Sequence, residues 1–190
     1  MRPLSRTLLL ALLSLGLPAG AADLPSDSIY HLPITLVDQD ARTSVLADRR
    51  GTPQLVSMFY TSCQYVCPLI IETLKRTQQS LTPEERARVK VLLVSFDPER
   101  DTPQRLREVY AERKLDTASW TLARTEATQV RALAAALDIQ YRALANREIN
   151  HSSALVLLNS EGRIVARTDK IGDVDAEFVA AVQTALRASR

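Results

Sequence analysis

The stretch Val-Lys-Val-Leu-Leu-Val-Ser-Phe, residues 89–96, constrains the fold more than any other part of the chain. Its apolar residues do not alternate cleanly with polar ones, so an extended backbone would carry them on both faces. A strand of that kind needs cover on both sides, the situation of an inner strand in a sheet flanked by helices. It reads as the most apolar strand of the chain and as the central one. A second mostly apolar strand, Gln-Leu-Val-Ser-Met-Phe-Tyr at 54–60, runs straight into the sequence Thr-Ser-Cys-Gln-Tyr-Val-Cys-Pro.

The remaining elements are placed around these two. Residues 33–48 carry two short alternating stretches about a polar turn and predict an N-terminal β-hairpin. Pro68 predicts a helix from 68 to about 80, because proline suits the first helical position. Thr82 and Glu85 have the spacing of a capping box for a short helix. Thr102-Pro103 opens a helix to about 114, and another is predicted over 126–137. Strands at 154–159 and 163–168 flank the turn Ser160-Glu161-Gly162, and a helix over 173–188 closes the chain. This order predicts an α/β protein with a thioredoxin-like fold: a central mixed sheet flanked by helices, with the hairpin as an addition in front. A chain of 190 residues suits one such domain.

The first residues follow the pattern of a secretory signal. Arg2 and Arg6 precede a leucine-rich run from Leu8 to Leu17, and Ala19-Gly20-Ala21 supplies small residues for cleavage. The run is well short of the roughly 20 residues that span a bilayer, which argues against a retained anchor. The expected organisation is a cleaved signal at 1–21, a linker at 22–29 and one domain at 30–190. Removing Arg2 and Arg6 leaves 22 basic against 22 acidic residues. A near-neutral domain with no run of like charge has no electrostatic footprint for nucleic acid. The expected location is periplasmic or otherwise exported, with no stable membrane span after cleavage.

Cys63 and Cys67 are the only cysteines. In an exported protein the plain expectation is a structural disulfide. A bridge closing so short a loop removes little entropy from the unfolded chain, however, and a domain of this size has core enough without it. Redox or metal chemistry is therefore the better reading. The residue before a proline is pushed away from helical geometry, which places Cys67 at the helix cap and both sulfurs over the helix N-terminus. There the dipole and free N–H groups favour thiolate.

In parallel α/β sheets the working groups gather at the carboxyl ends of strands. Strand 54–60 ends at Cys63, strand 89–96 ends at Asp97-Pro98-Glu99-Arg100-Asp101, and His151 sits just ahead of strand 154–159. Thioredoxin-like oxidoreductases carry a cis-proline at that last position, but this chain has no proline after Pro103. Two soft thiolates and an imidazole suit copper, as Cu(I) or Cu(II), and the same set could hold zinc with an open fourth position. Asp97 and Asp101 are candidates either to tune the thiols or simply to serve the turn and cap before Pro98 and Pro103. His31 has no co-ligand in its neighbourhood. Met58, Trp120 and Tyr141 read as packing residues.

Phe59-Tyr60-Thr61-Ser62-Cys63 through Cys67-Pro68, then Asp97 through Pro103, then His151-Ser152 and Glu161-Gly162 resemble the signature blocks of the Sco/SenC/PrrC family. The resemblance spans about residues 30–185. It implies a thioredoxin-like fold and copper bound by Cys63, Cys67 and His151. It also implies an extracytoplasmic role in supplying copper to a copper-containing subunit of a respiratory haem-copper (cytochrome c) oxidase, with other periplasmic copper carriers or thiol reductases as further partners. Many members have proline after the first cysteine, where this chain has Gln64. The alternative function is a periplasmic thiol-disulfide oxidoreductase in which Cys63 attacks a partner's disulfide and Cys67 resolves the mixed intermediate. A peroxidase of the same superfamily would need Thr or Ser three positions before the attacking cysteine, where Tyr60 stands.

Overall fold

The computed structural model of the chain describes residues 23–146 and 148–189. The expected signal segment, 1–21, lies outside the described residues. The strands are β1 (Thr35–Asp38), β2 (Thr43–Val45), β3 (Gln54–Phe59), β4 (Lys90–Ser95), β5 (Trp120–Arg124), β6 (Tyr141–Ala143), β7 (Ile149–His151), β8 (Leu155–Leu158) and β9 (Ile164–Thr168). The helices are α1 (Val66–Gln79), α2 (Pro83–Arg88), α3 (Pro103–Glu112), α4 (Ala127–Ala136) and α5 (Ala176–Ala188). Seven strands form one sheet in the order β2-β1-β5-β4-β3-β8-β9, with β6 and β7 as a separate ribbon.

The mixed, helix-flanked sheet expected from the sequence is therefore present, and β4 is its central strand. β3, β4 and β5 are mutually parallel, while β1 and β8 join the two sides of that trio antiparallel. Every residue of β3 is buried, as are Val91 to Ser95 of β4, which is why their apolar residues occupy both faces. The N-terminal hairpin forms as β1 and β2. The capping box predicted at Thr82 and Glu85 is made, with Thr82 Oγ1 accepting from the Glu85 N–H at 3.2 Å and Glu85 accepting from the Thr82 N–H at 3.0 Å.

Two stretches differ from expectation. β5 forms in a stretch ahead of the helix predicted at 126–137 for which the sequence predicts no element, and it forms because Trp120, Leu122 and Ala123 pack inward beside β4 while its polar residues face partly outward. Within the 22–29 stretch expected as linker, Ser28 and Ile29 are already packed. The Ser28 hydroxyl donates to the Glu161 carbonyl at 2.5 Å, and the Ile29 N–H to the Gly162 carbonyl at 3.0 Å. Gly162, at φ +79°, lies under the Tyr30 ring so closely that a Cβ there would come within 2.5 Å of it. The entering chain is thus clasped to the turn between β8 and β9. Leu158 pairs with Gln54 at the start of β3, so this clasp lies at the opposite end of the sheet from the cysteines.

Register brings the site together. Phe59 pairs with Ser95, so the segments leaving β3 and β4 emerge side by side. β8 runs antiparallel to β3, and the Ser57 hydroxyl donates to the Ala154 carbonyl at 2.7 Å. The residues leading into β8, His151 among them, must then arrive at the end where β3 releases the cysteines.

Candidate metal centre

The loop after β3 turns back at once, with the Cys63 N–H donating to the Tyr60 carbonyl at 3.2 Å. Helix α1 begins at Val66 with Tyr65 as its N-cap, so Cys67 lies inside the first helical turn instead of at the cap. Pro68 is accommodated because N–H groups in the first turn have no intrahelical acceptor, and one fewer costs nothing there. Tyr65 offers no capping side chain. The Cys63 sulfur fills that role, accepting the Cys67 N–H at 3.4 Å.

This arrangement splits the two thiols. Hydrogen bonding from the Cys67 side chain, with the backbone N–H groups of Cys67, Tyr65 and Val66, carries the Cys63 thiol down to about 4. The same sulfur–sulfur hydrogen bond, followed by burial and the nearby charges of Cys63 and Asp101, pushes the Cys67 thiol up. One proton is shared by the pair and stays on the inner sulfur. Cys67 is only 2 % exposed, whereas Cys63 is partly open. Cys63 faces a cavity of about 480 Å³ whose walls include Ser62, Gln64, Glu148, Asn150 and His151. Alkylation of the reduced, metal-free protein by iodoacetamide tests the split. The rate at Cys63 should stay flat from about pH 8 to about pH 5 and fall by half near about pH 4. A tenfold drop per pH unit from neutrality downward would show an ordinary thiol instead.

His151 comes from the ribbon. β6 and β7 pair Tyr141 with His151 and Ala143 with Ile149. The base of the ribbon is closed by the Ser152 N–H to the Gln140 carbonyl at 2.9 Å and the Gln140 N–H to the Ser152 hydroxyl at 3.0 Å. The imidazole rests against Phe96, ring centroids 4.7 Å apart, and meets Tyr60 edge-on at 6.0 Å. Tyr141 backs Phe96 at 5.2 Å, a packing role as expected. His151 Nδ1 lies 3.1 Å from the Ser152 carbonyl, which can only accept, so Nδ1 carries the proton. Nε2 is left with a free lone pair, and it is buried with no hydrogen-bond partner.

One ligand atom from each of Cys63, Cys67 and His151 lies within 4.8 Å of the others. An orphaned buried nitrogen on a ring gathered with two sulfurs is costly unless something satisfies it. A thiophilic cation would do so, and a carbonyl-oriented imidazole is the usual form of a metal-binding histidine. The donor set therefore fits a soft or borderline metal ion.

The other candidates separate. Asp97 forms an ion pair with Arg100, and its carbonyl accepts the N–H groups of Arg100 and Asp101 at 3.2 and 2.9 Å, so it shapes the turn. Asp101 is buried beneath the cysteine loop, bonded to Thr61 and Ser95. His31 hydrogen-bonds the Pro25 carbonyl at 3.0 Å, away from this site. Met58 is core, and Trp120 is buried with its Nε1 donating to Gln78 at 2.7 Å. Tyr60 and Phe96, the walls around the imidazole, carry no sequence signal of that role, since each reads as the apolar end of a strand.

Comparison with known proteins matches the geometry. The SCO1/SenC family profile matches residues 23–187. A Stutzerimonas stutzeri protein named for copper binding is 26 % identical over 176 residues, covering 85 % of each chain. The copper-bound crystal structure of Arabidopsis thaliana ScoI superposes with a TM-score of 0.70 at 20 % identity, covering 80 % of this chain and 98 % of that one. BsSco, described as a member of the Sco family of cytochrome c oxidase assembly proteins with a disulfide switch, gives 0.71 at 20 % identity, over 82 % and 92 %. At that identity the two structures speak to the fold, which is the thioredoxin-like one.

Proposed function

The chain belongs to the SCO1/SenC family, and from that premise we propose that it is an exported protein that binds one copper ion through Cys63, Cys67 and His151 and supplies it to the copper centre of a respiratory haem-copper oxidase. The observation that carries the reading is the convergence of two sulfurs with an imidazole whose Nδ1 is turned to a carbonyl and whose Nε2 is buried without a partner. Copper heads the affinity order among divalent first-row metals and, as Cu(I), prefers sulfur, so this donor set favours it over zinc. The relatives support the same choice: one is named for copper binding and another was solved with copper in place.

Copper is cargo here, and the site is built to release it. Cys67 and Nε2 are enclosed, whereas Cys63 borders the open cavity. A recipient's sulfur ligand would first displace Cys63, the one donor it can reach, and the inner pair would follow. Export rests on the sequence of residues 1–21, and among the described residues no helix is long and apolar enough to cross a membrane. The test is titration of the reduced protein with copper in the presence of excess zinc. One tightly held copper per chain with sulfur-to-metal absorption is expected. Retention of zinc in preference to copper would overturn the reading.

A second reading is favoured by a specific observation, the unequal thiols. A partly exposed thiolate backed by a buried protonated thiol is the arrangement of an attacking and a resolving cysteine. Reduction of a partner's metal-binding cysteines would use Cys63 to attack and Cys67 to release. The two activities share residues but differ in their need for His151.

A further inference from the structure

Phe96 stands where the two halves of the ligand set meet. It follows the last residue of β4, and its N–H donates to the Phe59 carbonyl at 2.7 Å, so its backbone is fixed to the end of β3 from which the cysteines depart. Its ring reaches the other way, into the ribbon. Tyr141 and His151 are opposite each other in β6 and β7, and cross-strand partners share a face. The Phe96 ring meets both, with centroids 5.2 Å from Tyr141 and 4.7 Å from His151, and is itself only 4 % exposed. The ribbon needs such an anchor. It stands outside the seven-stranded sheet with three residues in each strand, and a two-stranded ribbon alone is marginal in water. Another tie, from the Ile149 N–H to the Tyr60 hydroxyl, is long for a hydrogen bond at 3.5 Å.

We propose that Phe96 is a positioning residue for His151: packed against the cross-strand pair Tyr141 and His151, it holds the imidazole beside the two sulfurs before copper arrives, and it acts on copper affinity through that imidazole alone. This rests on copper being bound by Cys63, Cys67 and His151, as proposed above, and adds the residue that prepares the third ligand. A ligand already held in place loses little freedom when the metal binds, whereas one that must first be ordered gives up part of its binding energy. Phe96 has no donor atom of its own to offer a metal. Leucine at this position would keep an apolar side chain there but lose the flat face that spans two rings.

The experiment measures Cu(I) affinity of the reduced protein by competition with a chromophoric chelator for the parent, Phe96→Leu, His151→Ala and the double variant. Phe96→Leu should weaken binding about tenfold, the low end of what losing an orienting partner of a metal-bound histidine costs. In the His151→Ala background the same change should alter affinity less than about twofold, because residues that act through one another are not additive. Metal-free protein gives a second readout. Hydrogen exchange of the Ser152 N–H, which closes the base of the ribbon on the Gln140 carbonyl, should speed up in Phe96→Leu relative to the amides of β3 and β4. Parental copper affinity in Phe96→Leu overturns the proposal, as does ribbon exchange that rises no more than that of β3 and β4. An equal loss in the His151→Ala background also overturns it, since Phe96 would then act on the sulfurs or on the fold at large. If His151→Ala alone leaves affinity unchanged, the copper reading itself falls and this proposal with it. If Phe96→Leu does not fold, Tyr141→Leu decides, because it removes the ring behind Phe96 at a half-buried position. Binding about threefold weaker is then expected, only where His151 is present, and parental affinity overturns the proposal.

Discussion

His151→Ala is expected to weaken copper binding by the reduced protein at least about a hundredfold, while disulfide exchange with dithiothreitol proceeds at nearly the parent rate. Loss of an outer hydrogen bond to a metal ligand already costs roughly ten- to a hundredfold in affinity, and removal of the ligand should cost no less. The substitution leaves two sulfurs, enough to hold Cu(I) weakly but poor for Cu(II), which favours an added nitrogen donor. Exchange is spared because the hydrogen bonds that activate Cys63 come from Cys67 and the start of α1, and none comes from the imidazole. Competition against a chromophoric copper chelator measures the first quantity, and the time course of reduction of the oxidised protein by dithiothreitol, sampled by acid quench and mass, the second. Undiminished copper affinity would remove His151 from the ligand set.

Cys67→Ser should abolish both activities at once, in different ways. With the inner sulfur gone, tight copper binding is lost, since a hydroxyl is a poor substitute for thiolate toward a soft cation. In disulfide exchange the first step survives. Cys63 attacks, but nothing resolves the mixed disulfide, and the variant should accumulate as a covalent adduct with its substrate. Mass spectrometry of the non-reduced reaction detects that adduct directly. The thiol on Cys63 should also move back toward an ordinary value, because its first stabilising hydrogen bond comes from the Cys67 side chain. Full turnover in this variant would exclude the two-cysteine cycle.

Much of this arrangement is legible in the residues themselves, for reasons that differ by element. The buried pair β3 and β4 is written in runs apolar on both faces, and α2 and α3 announce themselves through Thr-Pro starts. Cys63 and Cys67 are visible because their relation is local. His151 is reached only by following the topology, since it lies 84 positions after Cys67 and the antiparallel entry of β8 is what closes that gap. The ribbon β6–β7 is not legible. Each of its strands has three residues, too few for any periodicity, and it is fixed by contacts from other elements, such as Phe96 against the imidazole. The start of α1 is misread because proline's preference for the first helical position is a tendency, while a sulfur four residues back can satisfy the helix's first donors instead.

The clasp between Ser28–Tyr30 and the β8–β9 turn sets the direction from which the domain can be held. Its grip is on the pole of the sheet remote from the thiols, so a leash, tag or solid support joined ahead of residue 23 would pull from behind. The molecule would then present the face that bears Cys63 outward, like a cup fixed by its base. A sensor chip coupled through that end should leave Cys63 free to meet whatever flows past.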